Sequence, residues 1–451
     1  MTNQAKETVI VVGGGPAGLM AAGAAAEAGV RVVLLEKMPR LGRKLLLTGK
    51  GRCNLTNTVP MPDFIENYPR NGSFLYGALS IFNNEALLAF FTSQGMPTKV
   101  ERGGRVFPAS DRSVDVLRAL ERYVKTNGVE IEIGQSVQGI RVEKVSSGET
   151  QVQGVITDRR EYWGKAVIIA TGGLSYPATG STGDGYQWAQ QLGHTVVRPR
   201  PGLVPLEIQE NWVKDVQGLT LKNVRVTAWF GNPGAPKARC IGEEFGEMLF
   251  THFGVSGPII LSLSSSIAPL LPQTMPNKSL APGKVTNEIG AKIHLCLNLK
   301  PALTMEQLDQ RLQRDLTTYA RKQFKNALGD LLPRALIPII VSLSKIPAEK
   351  YVHQITREER HQLLTLLTDL RLTVTNTRPL AEAIVTTGGV SVKEIDPRTM
   401  ASRRVNGLYF AGEVIDIDGY TGGFNLQAAF STGYVAGKAA AKAIQALEPK
   451  D

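Results

Sequence analysis

The 451-residue sequence predicts an α/β fold built on a buried parallel sheet, and three stretches carry the prediction. Val9–Val12 is a β-branched strand that runs into Gly13-Gly14-Gly15-Pro16-Ala17-Gly18, a small-residue helix and a second strand, Arg31–Leu35. Ala166–Ala170 is an apolar strand ending in Thr171-Gly172-Gly173. Gly407–Phe410 is another, ending in Ala411-Gly412-Glu413. Unbroken apolar runs of this length, bounded by glycine turns, suit strands covered on both faces.

In the first stretch each glycine has a mechanical use. Gly13 permits the tight turn, Gly15 lets the backbone approach a pyrophosphate, and Gly18 allows close packing of helix on strand. The helix that follows, with Ala17 in its first turn, offers unpaired N–H groups and a positive dipole end to phosphates. Gly29 is placed to stop it. Glu36 lies 18 residues after Gly18, where an acid can accept hydrogen bonds from ribose hydroxyls. Val9–Val30 is apolar enough to suggest a membrane span, but the glycines and Pro16 break it after four residues.

The chain carries 51 Lys and Arg against 40 Asp and Glu, a formal charge of +11. That charge serves solubility, or it marks a polyanionic partner such as RNA. Cys53, Cys240 and Cys296 are too widely spaced for a zinc or redox-pair motif, so no metal site is expected. Scattered cysteines and a polar, mixed-charge start without a signal-peptide pattern predict a cytoplasmic protein.

The glycine motif does not itself separate FAD from NAD. Three segments favour FAD: the basic loop Lys37–Lys44, the Ala170-Thr171-Gly172 turn, which resembles that of two-dinucleotide-binding-domain flavoproteins, and Gly412-Glu413, where such proteins place an acid on the ribityl chain. Asp418–Asn425 then leads into a small-residue helix, Leu426–Ala443. Its N-terminal dipole can stabilise negative charge on a reduced flavin. Only one complete GxGxxG is present. A dedicated NAD(P)H domain is therefore not expected, and NAD(P)H as reductant would visit the flavin and leave.

Gly42–Asn57, Gly246–Pro258, Thr387–Val390 and Gly412–Asn425 together resemble the signatures of the BaiN/YhiN-like flavoproteins, also described as aminoacetone oxidase-like or NAD(P)/FAD-dependent oxidoreductases. The resemblance spans the chain. It implies a glutathione-reductase-like FAD domain of the two-dinucleotide-binding type, split in sequence around a β-rich and helical insertion. It also implies non-covalent FAD at Gly13, Gly15, Ala17, Gly18, Glu36, Lys37, Arg43, Lys44, Leu45, Gly51, Asn54, Val137, Thr171, Gly172, Gly173, Gly412, Glu413, Gly422, Gly423, Phe424 and Asn425. Members reduce conjugated double bonds, some in 3-oxo bile-acid intermediates and others in ribosomal RNA, where they make dihydrouridine. The RNA-acting members carry a Trp-rich run after the glycine pair, and this chain has Phe424–Phe430 there.

The expected boundaries are 1–195 and 376–451 for the FAD domain and 196–375 for the insertion, β-rich over 200–300 and helical over 301–370. Val196–Pro205 reads as a linker, Pro272–Gly283 as a loop, and Leu221–Phe230 and Ala291–Leu299 as strands. Thr304 and Gln307 form a capping-box pattern. Arg311, Arg314, Arg321, Lys322 and Lys325 fall on one side at helical spacing, as a solvated surface or a face for ribosomal RNA phosphates.

Uracil and a 3-oxo-4-ene steroid share a C=C bond conjugated to a carbonyl. Reducing it requires hydride at the β-carbon, donors at the carbonyl and an acid for the α-carbon. Cys53 is the first candidate acid, although Arg52 beside it could favour the thiolate instead. His252 is the second. Arg52, Lys44 and Asn54 are candidate donors, and Tyr176 and Tyr420 candidate stacking residues; each also fits plain packing. The expected function is that of an FAD-dependent oxidoreductase using NAD(P)H to reduce a C=C bond conjugated to a carbonyl, with uracil in ribosomal RNA, reduced to dihydrouridine, as one candidate substrate. A small-molecule enone reductase, an amine oxidase and a non-catalytic flavin-containing RNA-binding protein are the alternatives.

Overall fold

Five parallel strands make the central sheet of the first unit, in the order Leu408–Phe410, Ala166–Ile169, Thr8–Val12, Arg31–Glu36 and Glu130–Ile133. Val9, Ile10 and Val11 are fully buried in the middle strand. Each such side chain contributes about 1.5–3 kcal/mol by leaving water. In the computed structural model, which describes residues 7–146, 148–271 and 292–446, the chain divides into two units. One is Met1–Pro201 with Leu380–Asp451, and the other is Gly202–Pro379. The sequence reading set these divisions at 195/196 and 375/376.

Helix Pro16–Glu27 lies on the sheet and buries Leu19 and Met20. Helix Phe424–Gln445 packs along it through small residues. A Cβ at Gly433 would sit 2.3 Å from the Ala17 carbonyl oxygen, and one at Gly437 2.2 Å from that of Ala21. Glycines one turn apart therefore set how closely the two backbones approach.

Val196–Gly202 is not a linker. It forms a two-stranded sheet with Val385–Val390. Pro199 and Pro201 lack N–H donors, which confines this strand to an edge but still allows pairing. That edge position is why the prolines misled the sequence reading.

The second unit holds a closed six-stranded barrel. Its strands run in the order Leu206–Ile208, Gly254–Ser256, Arg239–Phe250, Thr220–Phe230, Ile293–Asn298 and Leu370–Thr377. Ile293, Leu295 and Leu297 alternate inward. Helices Pro258–Ile267, Met305–Thr318, Ile337–Ser344 and Arg357–Thr368 accompany it. The Thr304–Gln307 capping box forms. The expected loop at Pro272–Gly283 lies outside the described residues. Among the described residues no single helix is long and apolar enough to cross a membrane.

The five basic residues expected on one helical face do not all lie on that helix. The helix ends at Thr318, where the Thr317 and Thr318 hydroxyls donate to the Gln313 and Arg314 carbonyls. Residues 322–325 then leave to bond with 348–352: Phe324 N–H donates to the Lys350 carbonyl and Val352 N–H to that of Lys322. Arg321, Lys322 and Lys325 thereby leave the helix that carries Arg311 and Arg314. Lys325 pairs with Glu349 at 2.6 Å, Arg311 reaches Asp315 at 3.6 Å, and the Lys322 ammonium sits 4.1 Å from the Tyr319 ring centre.

Gly433→Ala and Gly437→Ala are each expected to destabilise the protein by about 1–3 kcal/mol, the cost of overpacking a tight contact. Denaturant midpoints measure this, and wild-type midpoints would refute the close-approach argument.

Candidate cofactor site

The site starts where the middle strand stops. At Gly13 (φ +107°) a Cβ would lie 2.5 Å from the Ala170 carbonyl oxygen, and at Gly18 one would lie 1.8 Å from the Gly13 carbonyl oxygen. Packing against protein therefore accounts for both. Gly15 differs: nothing lies within 4 Å of its Cβ direction, and its backbone is extended (φ −80°). The helix beginning at Pro16 has no side-chain cap, so no side chain claims its first N–H groups, as an anion site requires.

Glu36 braces this turn. Its carboxylate accepts the N–H groups of Gly14 and Met38, each at 2.7 Å. Burial pushes its pKa up, against the opposing pull of those two backbone donors. A carboxylate has about four acceptor positions, so two remain for a ligand hydroxyl. Gly42 N–H donates to the Gly14 carbonyl at 2.9 Å and pins the loop after Glu36 onto the glycine turn. Lys37 bonds Asp184 at 2.6 Å and also Thr182. Arg43 opens the short helix Arg43–Leu47. Leu45 and Val137 are buried apolar side chains.

Lys44 and Glu413, 369 residues apart, meet at 2.6 Å. Lys44 also donates to the Ser175 hydroxyl at 2.6 Å. The other Glu413 oxygen accepts from Thr386 N–H at 2.7 Å and from the Ser175 hydroxyl at 3.1 Å. Gly173 abuts this group, since a Cβ there would meet Thr386 and Glu413 within 3 Å. Gly172 lies one residue earlier, and Gly412 donates its N–H to the Thr432 hydroxyl at 2.9 Å. Thr171 Oγ1 and Asn54 Oδ1 are buried without a hydrogen-bond partner. Leaving such atoms unsatisfied costs about 1–3 kcal/mol each. Open space at Gly15, an uncapped helix end, spare acceptors on Glu36 and these two orphaned atoms all fit an extended dinucleotide such as FAD.

At the other end, Gly423 (φ +102°) starts helix Phe424–Gln445, again without a side-chain cap. A Cβ there would lie 2.4 Å from the Thr56 carbonyl oxygen. Asn57 Nδ2 donates to the Gly422 carbonyl at 3.2 Å. The Phe424 and Asn425 side chains, expected at the cofactor, serve the protein instead. The Phe424 ring packs against Phe64 at 4.9 Å and Tyr68 at 6.2 Å, and the Asn425 amide clamps the backbone of Gly419 at 2.8 and 2.7 Å. Their backbone N–H groups stay at the helix start.

The proposed catalytic trio needs correction. Cys53 adopts a left-handed backbone (φ +62°), with its N–H bonded to the Thr48 carbonyl, and its thiol is fully buried in the core. Burial pushes the thiol up to about 12, with the Thr48 side chain opposing weakly. It is neither a thiolate nor exposed to a substrate. Arg52 turns away from it. Its Nε bonds Asp111 at 2.8 Å, Glu101 holds the other end, and Phe107 lies beneath at 4.2 Å. Its charge is thus neutralised by carboxylates rather than directed at Cys53 or a carbonyl. His252 belongs to the second unit, exposed on a turn with its ring 5.0 Å from that of Phe253. Tyr176 and Tyr420 are both half-buried. Ser175, Thr386 and Asp184 escaped the sequence reading. Of these, only Thr386, adjoining the Thr387–Val390 signature, offered a signal.

Gly15→Ala is expected to leave the stability of the FAD-free chain unchanged but weaken FAD affinity about tenfold or more, the equivalent of ~1.4 kcal/mol. Gly18→Ala is expected to lower the stability of the FAD-free chain itself by about 1–3 kcal/mol. Flavin titration and denaturation separate the two, and equal behaviour would contradict the assignment of Gly15 to a ligand. For the thiols, alkylation at pH 8 followed by peptide mass spectrometry is expected to label exposed Cys240 and spare buried Cys53, whose thiol stays protonated. Rapid native labelling of Cys53 would show the burial argument to be wrong.

The model of the HI0933-like protein Rossmann domain matches residues 7–439. The chain is 32% identical over 434 residues to the 3-dehydro-bile acid delta(4,6)-reductase of Clostridium scindens, covering 96% of this chain and 98% of that protein. It is 30% identical over 426 residues to the ribosomal RNA dihydrouridine synthase of Escherichia coli, covering 94% and 96%. The 3-ketosteroid delta1-dehydrogenase of Sterolibacterium denitrificans shares the fold, with a TM-score of 0.50 at 11% identity over 97% of this chain and 100% of that one. The chain therefore belongs to the HI0933-like Rossmann-domain family and is an FAD-dependent oxidoreductase.

Proposed function

We propose that the protein uses NAD(P)H to reduce a C=C bond conjugated to a carbonyl. The observation that carries this reading is the pair of near-full-length relatives. Their substrates differ, yet each name describes saturating a C=C bond next to a C=O. Bound FAD would supply the two-electron carrier for such a reduction.

The chain's own residues supply the setting. Gly13–Gly18 and Glu36 would hold the adenosine end. The Lys44–Glu413–Ser175–Thr386 group presents a fixed ion pair whose members are locked by four hydrogen bonds. A site held this firmly can orient polar groups without reorganising. The uncapped start of helix Phe424–Gln445 favours negative charge near it. NAD(P)H remains the transient reductant of this proposal, because the second unit is a barrel with helices rather than a second glycine-turn fold.

Among substrates, uracil in ribosomal RNA is the reading that the +11 charge favours. The 32% relative favours a 3-oxo steroid as the second reading. An intracellular, cytoplasmic setting accords with either. Nucleoside mass spectrometry of ribosomal RNA is the deciding experiment. Dihydrouridine is expected to disappear when the gene is deleted and to return with the wild-type gene. Unchanged dihydrouridine, with NADPH-driven reduction of 4-androstene-3,17-dione by the yellow holoprotein, would replace the first reading by the second. Hydrogen peroxide produced from simple amines, without reduction of any enone, would overturn both.

A further inference from the structure

Next to the Lys44–Glu413 group lies a second concentration of charge that none of the assignments above uses. Successive residues in a strand point to opposite sides. Thr386 serves Glu413, while the Thr387 hydroxyl donates to Asp418 at 2.9 Å. The other Asp418 oxygen takes Arg70 at 2.7 Å, and Asp416 lies 3.8 Å from the same guanidinium. Both aspartates are almost completely buried. The strand paired with Val385–Val390 is Val196–Gly202. It approaches so closely that a Cβ at Gly388 would lie 2.6 Å from the Arg198 carbonyl oxygen. Arg198 and Arg200, two apart on that strand, share one side.

The exposed Arg70 and half-buried Arg198 thus lie close enough to Arg200 for their charges to act on it. Asp418 answers Arg70. Asp416 also faces Arg70, but burial pushes its carboxyl up, and the Asn71 amide occupies one of its oxygens at 3.0 Å. Arg200 is half-buried, and its guanidinium has no hydrogen-bond or ion-pair partner among the described residues. Burial, with the charges of Arg198 and Arg70 nearby, holds its guanidinium below the usual range. A half-buried arginine beside two others, with no carboxylate of its own, is placed to bind an anion. Pro199 and Pro201 fix the backbone on either side of it, so little ordering is needed on binding.

We propose that Arg200, flanked by Arg198 and Arg70, receives an oxyanion carried by the substrate, a phosphoryl or carboxylate group whose two oxygens match the guanidinium fork. The word substrate rests on the enone-reductase reading, whereas the anion site itself does not. An RNA phosphodiester and a steroid-acid carboxylate are the two sources of this chemistry.

The test uses the full-length, FAD-loaded protein and inorganic phosphate as probe, by calorimetry at low ionic strength. Arg200→Gln is expected to weaken phosphate binding tenfold or more and Arg200→Lys to weaken it less, in the absence of the bidentate fork. Arg118→Gln, at an exposed position of helix Ser113–Thr126 that pairs with Asp115, serves as the charge control and is expected to match wild type. Wild-type phosphate affinity in Arg200→Gln, with flavin content intact, would overturn the proposal. The source is read from KM. A rise for uridine-containing RNA points to a phosphodiester. A rise for 3-oxo-4-cholenoate but not for neutral 4-androstene-3,17-dione points to a carboxylate. If no enone is reduced but Arg200→Gln still loses phosphate, the function proposed above fails and the anion site stands.

Discussion

Close backbone approach at a few side-chain-free positions is the constraint on which the first unit depends. Gly13 and Gly18 bring the opening turn against Ala170, and Gly433 and Gly437 let the last helix lie on Ala17 and Ala21. With methyl groups there, contacts of 1.8–2.5 Å would force the elements apart, and interiors packed to crystal density do not absorb such shifts. Those contacts join residues 8–27 to residues 424–445. Segments far apart in sequence thereby complete one sheet-and-helix layer of the first unit.

That closure assembles the polar group at the site. Lys44, Ser175, Thr386 and Glu413 come from four separate stretches, and each is held by another. A half-buried carboxylate is tolerated when donors surround it. Here the donors are a backbone N–H, a hydroxyl and an ammonium, so Glu413 is bound in place rather than free to follow a ligand. Thr171 Oγ1 and Asn54 Oδ1 lack such partners.

Charge on this molecule is mostly paired locally. Arg52 is held by Glu101 and Asp111, Arg311 reaches Asp315 and the Asp330 carbonyl, Lys325 pairs with Glu349, and Lys322 sits over the Tyr319 ring. A net charge of +11 therefore does not imply one continuous basic face. Linear spacing of basic residues misled here because helical periodicity applies only as far as the helix runs. The helix ended when residues 322–325 found backbone partners at 348–352. The same limit applies to Cys53 and Arg52. Adjacency in sequence suggested that the arginine acts on the thiol, but a left-handed backbone at Cys53 sends the two side chains to different surroundings.

The amino-acid sequence alone determined the elements whose signals are local: the strand, glycine turn, helix and acid of residues 8–36, the strands at 166–169 and 408–410, and the barrel strands Thr220–Phe230 and Ile293–Asn298. Periodicity, β-branching and turn glycines act over a few residues, so they can be read without coordinates. Only the tertiary structure decided which polar groups meet, that the proline-bearing stretch 196–202 is a strand, and that Cys53 is core. Those outcomes depend on contacts between residues tens to hundreds of positions apart, and no local pattern encodes the partner.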